Sequence, residues 1–98
     1  MHSLYSEIEW DDYNSGKNLV KHNVTDDEIG QVFENPYVIF RHKKYQDRRI
    51  ILGETNGGRY LFMSVQHKSE TCCRPIHARD MEPYEKKQYL KIIGHGRV

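Results

Sequence analysis

Asn56-Gly57-Gly58 stands between two runs whose residues alternate in character, Arg48 to Thr55 and Arg59 to His67. Both glycines accept the positive φ that tight hairpin turns need, so the two runs are read as neighbouring antiparallel strands. In the later one Leu61, Met63 and Val65 face one way, and Tyr60, Phe62, Ser64 and Gln66 face the other. One sheet face should therefore pack on helices while the other is aromatic and polar. Tyr37 to Phe40 and Cys72 to Arg79 read as two further strands, and Tyr5 to Trp10 as a short first one stopped by Asp11-Asp12.

Helices are expected before and after this sheet. A short one fits Tyr13 to His22 despite Gly16, followed by Asn23, a residue that tolerates the left-handed conformation. Thr25-Asp26-Asp27-Glu28 has the form of a capping box, in which the Thr25 hydroxyl accepts from the Glu28 amide and the Glu28 carboxylate reaches back. Ile29, Val32 and Phe33 then share one helix face, and Asn35-Pro36 ends the helix. A last helix is expected over Asp80 to Ile93, with Asp80 as N-cap, Pro83 in the first turn, and Tyr89, Leu90 and Ile93 making apolar contacts. The class is α+β: an antiparallel sheet with N-terminal helices and a C-terminal helix.

At 98 residues the chain is expected to be one domain over residues 1–98, with 94–98 a frayed tail. No apolar run approaches the roughly 20 residues of a membrane span, and Met1 to Glu7 lacks the layout of a signal peptide. The cysteines are the adjacent pair Cys72-Cys73, which cannot staple distant segments, so a cytoplasmic location is expected. A net charge of +1 conceals an asymmetry. Residues 1–36 hold eight acids against Lys17 and Lys21, whereas residues 37–98 hold thirteen bases against six acids. This is compatible with a basic face for a polyanion and an acidic face turned elsewhere, or with mixed solvated charge.

RNA cleavage without a metal uses the neighbouring 2′-hydroxyl as nucleophile, so the protein must supply a base, an acid and cations for the charge building on phosphorus. Arg59, Arg74 and Arg79 are candidate phosphate ligands because the guanidinium fork matches phosphate oxygens. Arg74 and Arg79 are five positions apart and would face opposite ways on an undistorted strand, but a bulge at Pro75 would change that parity. His22, beside Lys21, suits proton transfer or phosphate binding, or merely caps a helix end. His77 shares a strand face with Arg79 and is the second imidazole. Glu85 and Tyr89 are four residues apart on one helix face, where the tyrosine is either a catalytic partner or core.

Two other motifs have the residue types of a known site but not its spacing. His67, Cys72, Cys73 and His77 hold zinc-type ligands, but adjacent cysteines on a strand point apart, and no metal or other cofactor is expected. Gly53-Glu54-Thr55-Asn56-Gly57-Gly58-Arg59 lacks the Gly-Lys-Ser/Thr ending and the following helix of a phosphate loop, so it is read as a turn.

Taken in order, Glu9-Trp10-Asp11, Asn18-x-x-Lys21-His22-x-Val24, Glu28, Val32-Phe33, Pro36, Arg48, Gly53-x-Thr55-x-x-Gly58-Arg59-x-Leu61, Arg74-x-Ile76-x-Ala78-Arg79, Glu85 and Tyr89 resemble the BrnT family. The resemblance covers residues 8 to 90 and rests on the ordered set rather than on any one motif. It implies a RelE-like fold and a metal-independent endoribonuclease toxin of a type II toxin-antitoxin system that cuts RNA and inhibits translation. It also implies a DNA-binding BrnA-type antitoxin as partner, with DNA contacted only through that complex. By motif position it carries over Lys21, His22, Arg59, Arg74, Arg79, Glu85 and Tyr89. Together with the reading of the residues themselves, His22, Arg59, Arg79, Glu85 and Tyr89 are expected to be catalytic, and Lys21, Arg48, Arg74 and His77 to contact RNA. Asn14, Asn23 and His77 depart from the family's usual lysine, glycine and small residue. A non-catalytic RelE-like module that binds nucleic acid or protein is the alternative.

Overall fold

A computed structural model describes residues 5–94. The residues nearest each terminus, including four of the five in the expected tail and the start of the segment tested for a signal peptide, lie outside them. The elements in chain order are β1 (Glu7–Ile8), α1 (Lys17–His22), α2 (Asp26–Glu34), β2 (Val38–Arg41), β3 (Arg48–Glu54), β4 (Tyr60–His67), β5 (Cys72–Asp80) and α3 (Pro83–Gly94). They build an open α+β fold around a five-stranded sheet of order β1-β5-β4-β3-β2.

The hairpin forms as expected, with Gly58 at φ +87° and Glu54 opposite Tyr60. Alternation along β4 divides the two layers. Leu61, Met63 and Val65 are fully buried with Ile29 and Val32 of α2 and with Val24. On the opposite face, Leu52 and Val38 are buried by Tyr89 of α3, with Tyr60, Phe62, Phe40 and Ile93 packed around them. Gly53 is part of β3 rather than of the turn. A Cβ there would lie 2.4 Å from Val32 Cγ1, so the missing side chain lets α2 approach the sheet.

Thr25 forms the capping box with Glu28, and Asn23 takes φ +56°. The first helix departs from expectation. It begins at Lys17, because Gly16 has φ +73°, which no right-handed helix accommodates. Asp26 fixes that turn by accepting from Gly16 N and Ser15 Oγ. The first strand shrinks to two residues and runs parallel to β5, pairing Glu7 with Cys72 and Ile8 with Cys73, so the sheet is not wholly antiparallel.

Beyond those two pairs the edge of β5 is closed by side chains. Asn14 Nδ2 donates to Pro75 O at 3.0 Å, and Asn18 Oδ1 accepts from Ala78 N at 2.9 Å. Both asparagines are buried and supply what a neighbouring strand would have supplied.

Asp80 is the last residue of β5 and not the cap of α3. Glu82 holds the cap position ahead of Pro83, and Glu85 in the first turn reaches back to accept from Glu82 N at 2.8 Å. On α3 the stripe Glu85, Tyr89 and Ile93 faces the sheet, whereas Leu90, a further 100° round the helix, is exposed. No described helix is long and apolar enough to cross a membrane.

Candidate functional site

The parity of Arg74 and Arg79 is changed by a bulge. Ser64 of β4 stands opposite His77, but its neighbour Val65 stands opposite Pro75, which leaves Ile76 as the extra residue. Arg74 opposite Gln66, His77 opposite Ser64 and Arg79 opposite Phe62 therefore share one sheet face. This is the face that α3 covers only at the Leu52 end.

His22, at the C-terminus of α1, meets His77 edge to face with ring centroids 4.7 Å apart. Burial pushes the His77 imidazole below its ordinary value, and the charges of His22, Arg79, Lys17 and Lys21 add to that push. The neutral form of the His77 imidazole is thus favoured among these cations. Among the described residues neither Lys17 nor Lys21 forms an ion pair. Lys17 is absent from the sequence-derived site, although its i, i+4 spacing from Lys21 puts both on one helix face.

Arg79 lies 4.0 Å above the Phe62 ring and is held from behind by Glu85. Its Nη1 also donates to Asp80 O. Among the described residues nothing accepts from Arg79 Nε, which remains a donor for a ligand. The Arg79 guanidinium is held above its usual value by the hydrogen bond it donates to Glu85.

The other arginines are committed elsewhere. Arg59 places all five donor hydrogens: Nε and Nη2 on Asp80, Nη1 on Asn23 O and Glu28, and Nη2 on His22 O. It is a clamp that ties the α1–α2 junction, and with it His22, to the sheet. Arg74 grips Asp11 through Nε and Nη2, with Glu9 at 3.7 Å. Of the acids in the N-terminal third, Glu9, Asp11 and Glu28 thus neutralise bases from the other two thirds.

Arg48 stands opposite Gln66, in one cross-strand row with Arg74, and lies 4.5 Å above the Tyr45 ring. Tyr89 is only 1% exposed, donates to Pro36 O at 3.1 Å and meets Tyr60 edge to face, so its phenol is part of the core. Of the zinc-type ligands, Cys73 lies with His67 on the α2 side of the sheet, while His77 lies on the other. Burial pushes the Cys73 thiol up to about 12. Among the described residues no three histidine, cysteine or acidic side chains converge on a point.

The family model described as "Ribonuclease toxin, BrnT, of type II toxin-antitoxin system" matches residues 10–85. The chain belongs to the BrnT family. No curated protein matches it. The BrnT match spans α1, the whole hairpin and β5, so it includes His22, His77, Lys17, Lys21 and Arg79, and it ends at Glu85. A BrnT protein is a ribonuclease toxin of a type II toxin-antitoxin system, a class that works with an antitoxin partner.

Proposed function

We propose that the chain is a metal-independent endoribonuclease on a RelE-like scaffold, acting in the cytoplasm to inhibit translation and neutralised by a BrnA-type DNA-binding antitoxin. The observation that carries this reading is the His22–His77 ring pair, 4.7 Å between centroids, among Lys17, Lys21 and Arg79 on an uncovered sheet face. Two imidazoles can divide the proton transfers. In this scheme one takes the proton of the 2′-hydroxyl as its oxygen bonds to phosphorus. The other gives a proton to the departing 5′-oxygen as that P–O bond breaks, leaving a 2′,3′-cyclic phosphate and a 5′-hydroxyl.

His77, neutral by burial, suits the base role. Arg79 meets the negative charge growing on the non-bridging oxygens, and its fork with Glu85 and its seat on Phe62 hold it in place beforehand. The lysines add charge without geometric constraint. Arg48 and Arg74 flank the strand that carries the phosphate. Arg59 acts by positioning His22, and Tyr89 by packing α3.

Purified protein should cut single-stranded RNA in excess EDTA and leave cyclic phosphate ends, and Arg79→Ala should not cut. RNA that stays full length at high enzyme concentration overturns the reading, as does cleavage that EDTA abolishes.

A further inference from the structure

A cleft of about 570 Å³ opens where α3 passes over the outer strands, lined by Phe40, Arg41, His42, Lys43, Ile50 and Gln88. The cleavage scheme leaves it unused. Its lining is mainly apolar, supplied by the half-buried Phe40 and Ile50, and its rim carries the exposed cations Arg41 and Lys43. An apolar, aromatic floor with cations beside it suits a nucleobase attached to a phosphate. Tyr45, with Arg48 4.5 Å and Lys44 5.5 Å from its ring centroid, continues the same chemistry in the β2–β3 loop.

The cleft also lies in one cross-strand row with His77 of the histidine pair. Cross-strand register puts His77 opposite Ser64, Ser64 opposite Ile50, and Ile50 opposite Phe40 in one row on one face. Three strand spacings of ~4.8 Å separate His77 from Phe40 by roughly 14 Å. A short stretch of extended RNA lying across the strands would span that distance.

We propose that this cleft is a second subsite for single-stranded RNA, holding a nucleobase and its phosphate from the strand whose scissile bond lies at His77. It rests on the ribonuclease reading and adds selection for substrate length. Ser64, the small residue between the two ends of the row, leaves room for the strand to cross.

The test follows backbone amide shifts of Arg41, Lys43 and Gln88 during titration with oligonucleotides that lack 2′-hydroxyls and cannot be cut. A dinucleotide should move amides around His77 and Arg79, and a hexanucleotide should move the cleft amides as well. With cleavable RNA, Arg41→Ala/Lys43→Ala should lose about tenfold more kcat/KM on the hexanucleotide than on the dinucleotide. A hexanucleotide that leaves the cleft amides still, or a variant that slows both substrates alike, overturns the subsite. So does a cleft that responds to the antitoxin and not to RNA. If no RNA is cut yet the hexanucleotide still moves the cleft amides, the ribonuclease reading fails while the subsite stands.

Discussion

Arg79 and Glu85 join as a fork, Nη1 to Oε1 at 2.8 Å and Nη2 to Oε2 at 3.0 Å, with the carboxylate only 4% exposed. Burial works against the Glu85 charge, but Arg79 and the Glu82 amide outweigh it and hold the carboxyl below its ordinary 4.5. Glu85→Gln keeps the shape and removes the charge. It should cost about 1 to 2 kcal/mol in urea unfolding at pH 7, less than a fully buried pair because the guanidinium is partly solvated. Cleavage should fall at least tenfold as Arg79 loses its support. Because the folded-state pKa is depressed, this stabilisation is present above about pH 4.5 and fades as pH falls through the lower folded value. Equal stability of the two proteins at pH 7 would contradict the assignment.

The Arg59 clamp separates positioning from phosphate binding. Arg59→Ala should destabilise the fold by about 2 kcal/mol, since it frees two carbonyls and two carboxylates at once, and Arg59→Lys should recover only part of that. The nuclear Overhauser contacts between the His22 and His77 rings should weaken in step with kcat. A direct phosphate ligand would behave otherwise: its loss would leave those contacts intact and lower the salt dependence of RNA binding by about one charge.

The hairpin, the two-faced alternation of β4 and the Thr25 capping box were legible because each is written in neighbouring residues. Gly16 and Pro75 were visible as irregularities, and the parity change a bulge at Pro75 would bring was an open alternative, but neighbouring residues do not decide either case. Whether Gly16 sits inside a helix or ends a turn depends on Asp26, ten residues away, reaching back to it. Whether Pro75 marks a bulge depends on the register of β4. The arginines were harder still, since Arg59 and Arg74 look like free cations until Asp80, Glu28 and Asp11 are brought to them by the fold. Tyr89 shares a helix face with Glu85, yet that whole stripe faces the sheet and its tyrosine is taken up by the core. The pairing of His22 with His77 had no local signal at all.

Closure of the β5 edge by side chains gives a stability test away from the site. Asn18→Leu keeps the branched shape, though slightly larger, and leaves the Ala78 N–H buried without its acceptor, which should cost about 1 to 3 kcal/mol. Hydrogen exchange at Ala78 should accelerate by more than exchange at Met63, across the ladder on β4. If both amides lose protection equally, the asparagine serves only global packing.

His77 gives the fold a distinct response to pH. Its folded-state pKa lies below the ordinary 6.5, first through burial and then through His22, Arg79, Lys17 and Lys21. At high pH the imidazole is neutral in both the folded and unfolded states and adds no pH dependence. As pH falls through about 6.5 the unfolded chain takes up the proton first, so stability declines until the lower folded value is reached, and then levels off. His77→Phe should remove that decline, visible as a flatter urea midpoint between pH 7 and 5. With His77 as the base, burial and then the same cations place the acid limb of kcat/KM. Lys17→Ala/Lys21→Ala should move that limb toward higher pH while lowering the rate at its plateau, because the neutral imidazole is then less strongly enforced. A limb that stays in place in the lysine variant but vanishes in His22→Ala would assign the base to His22 instead.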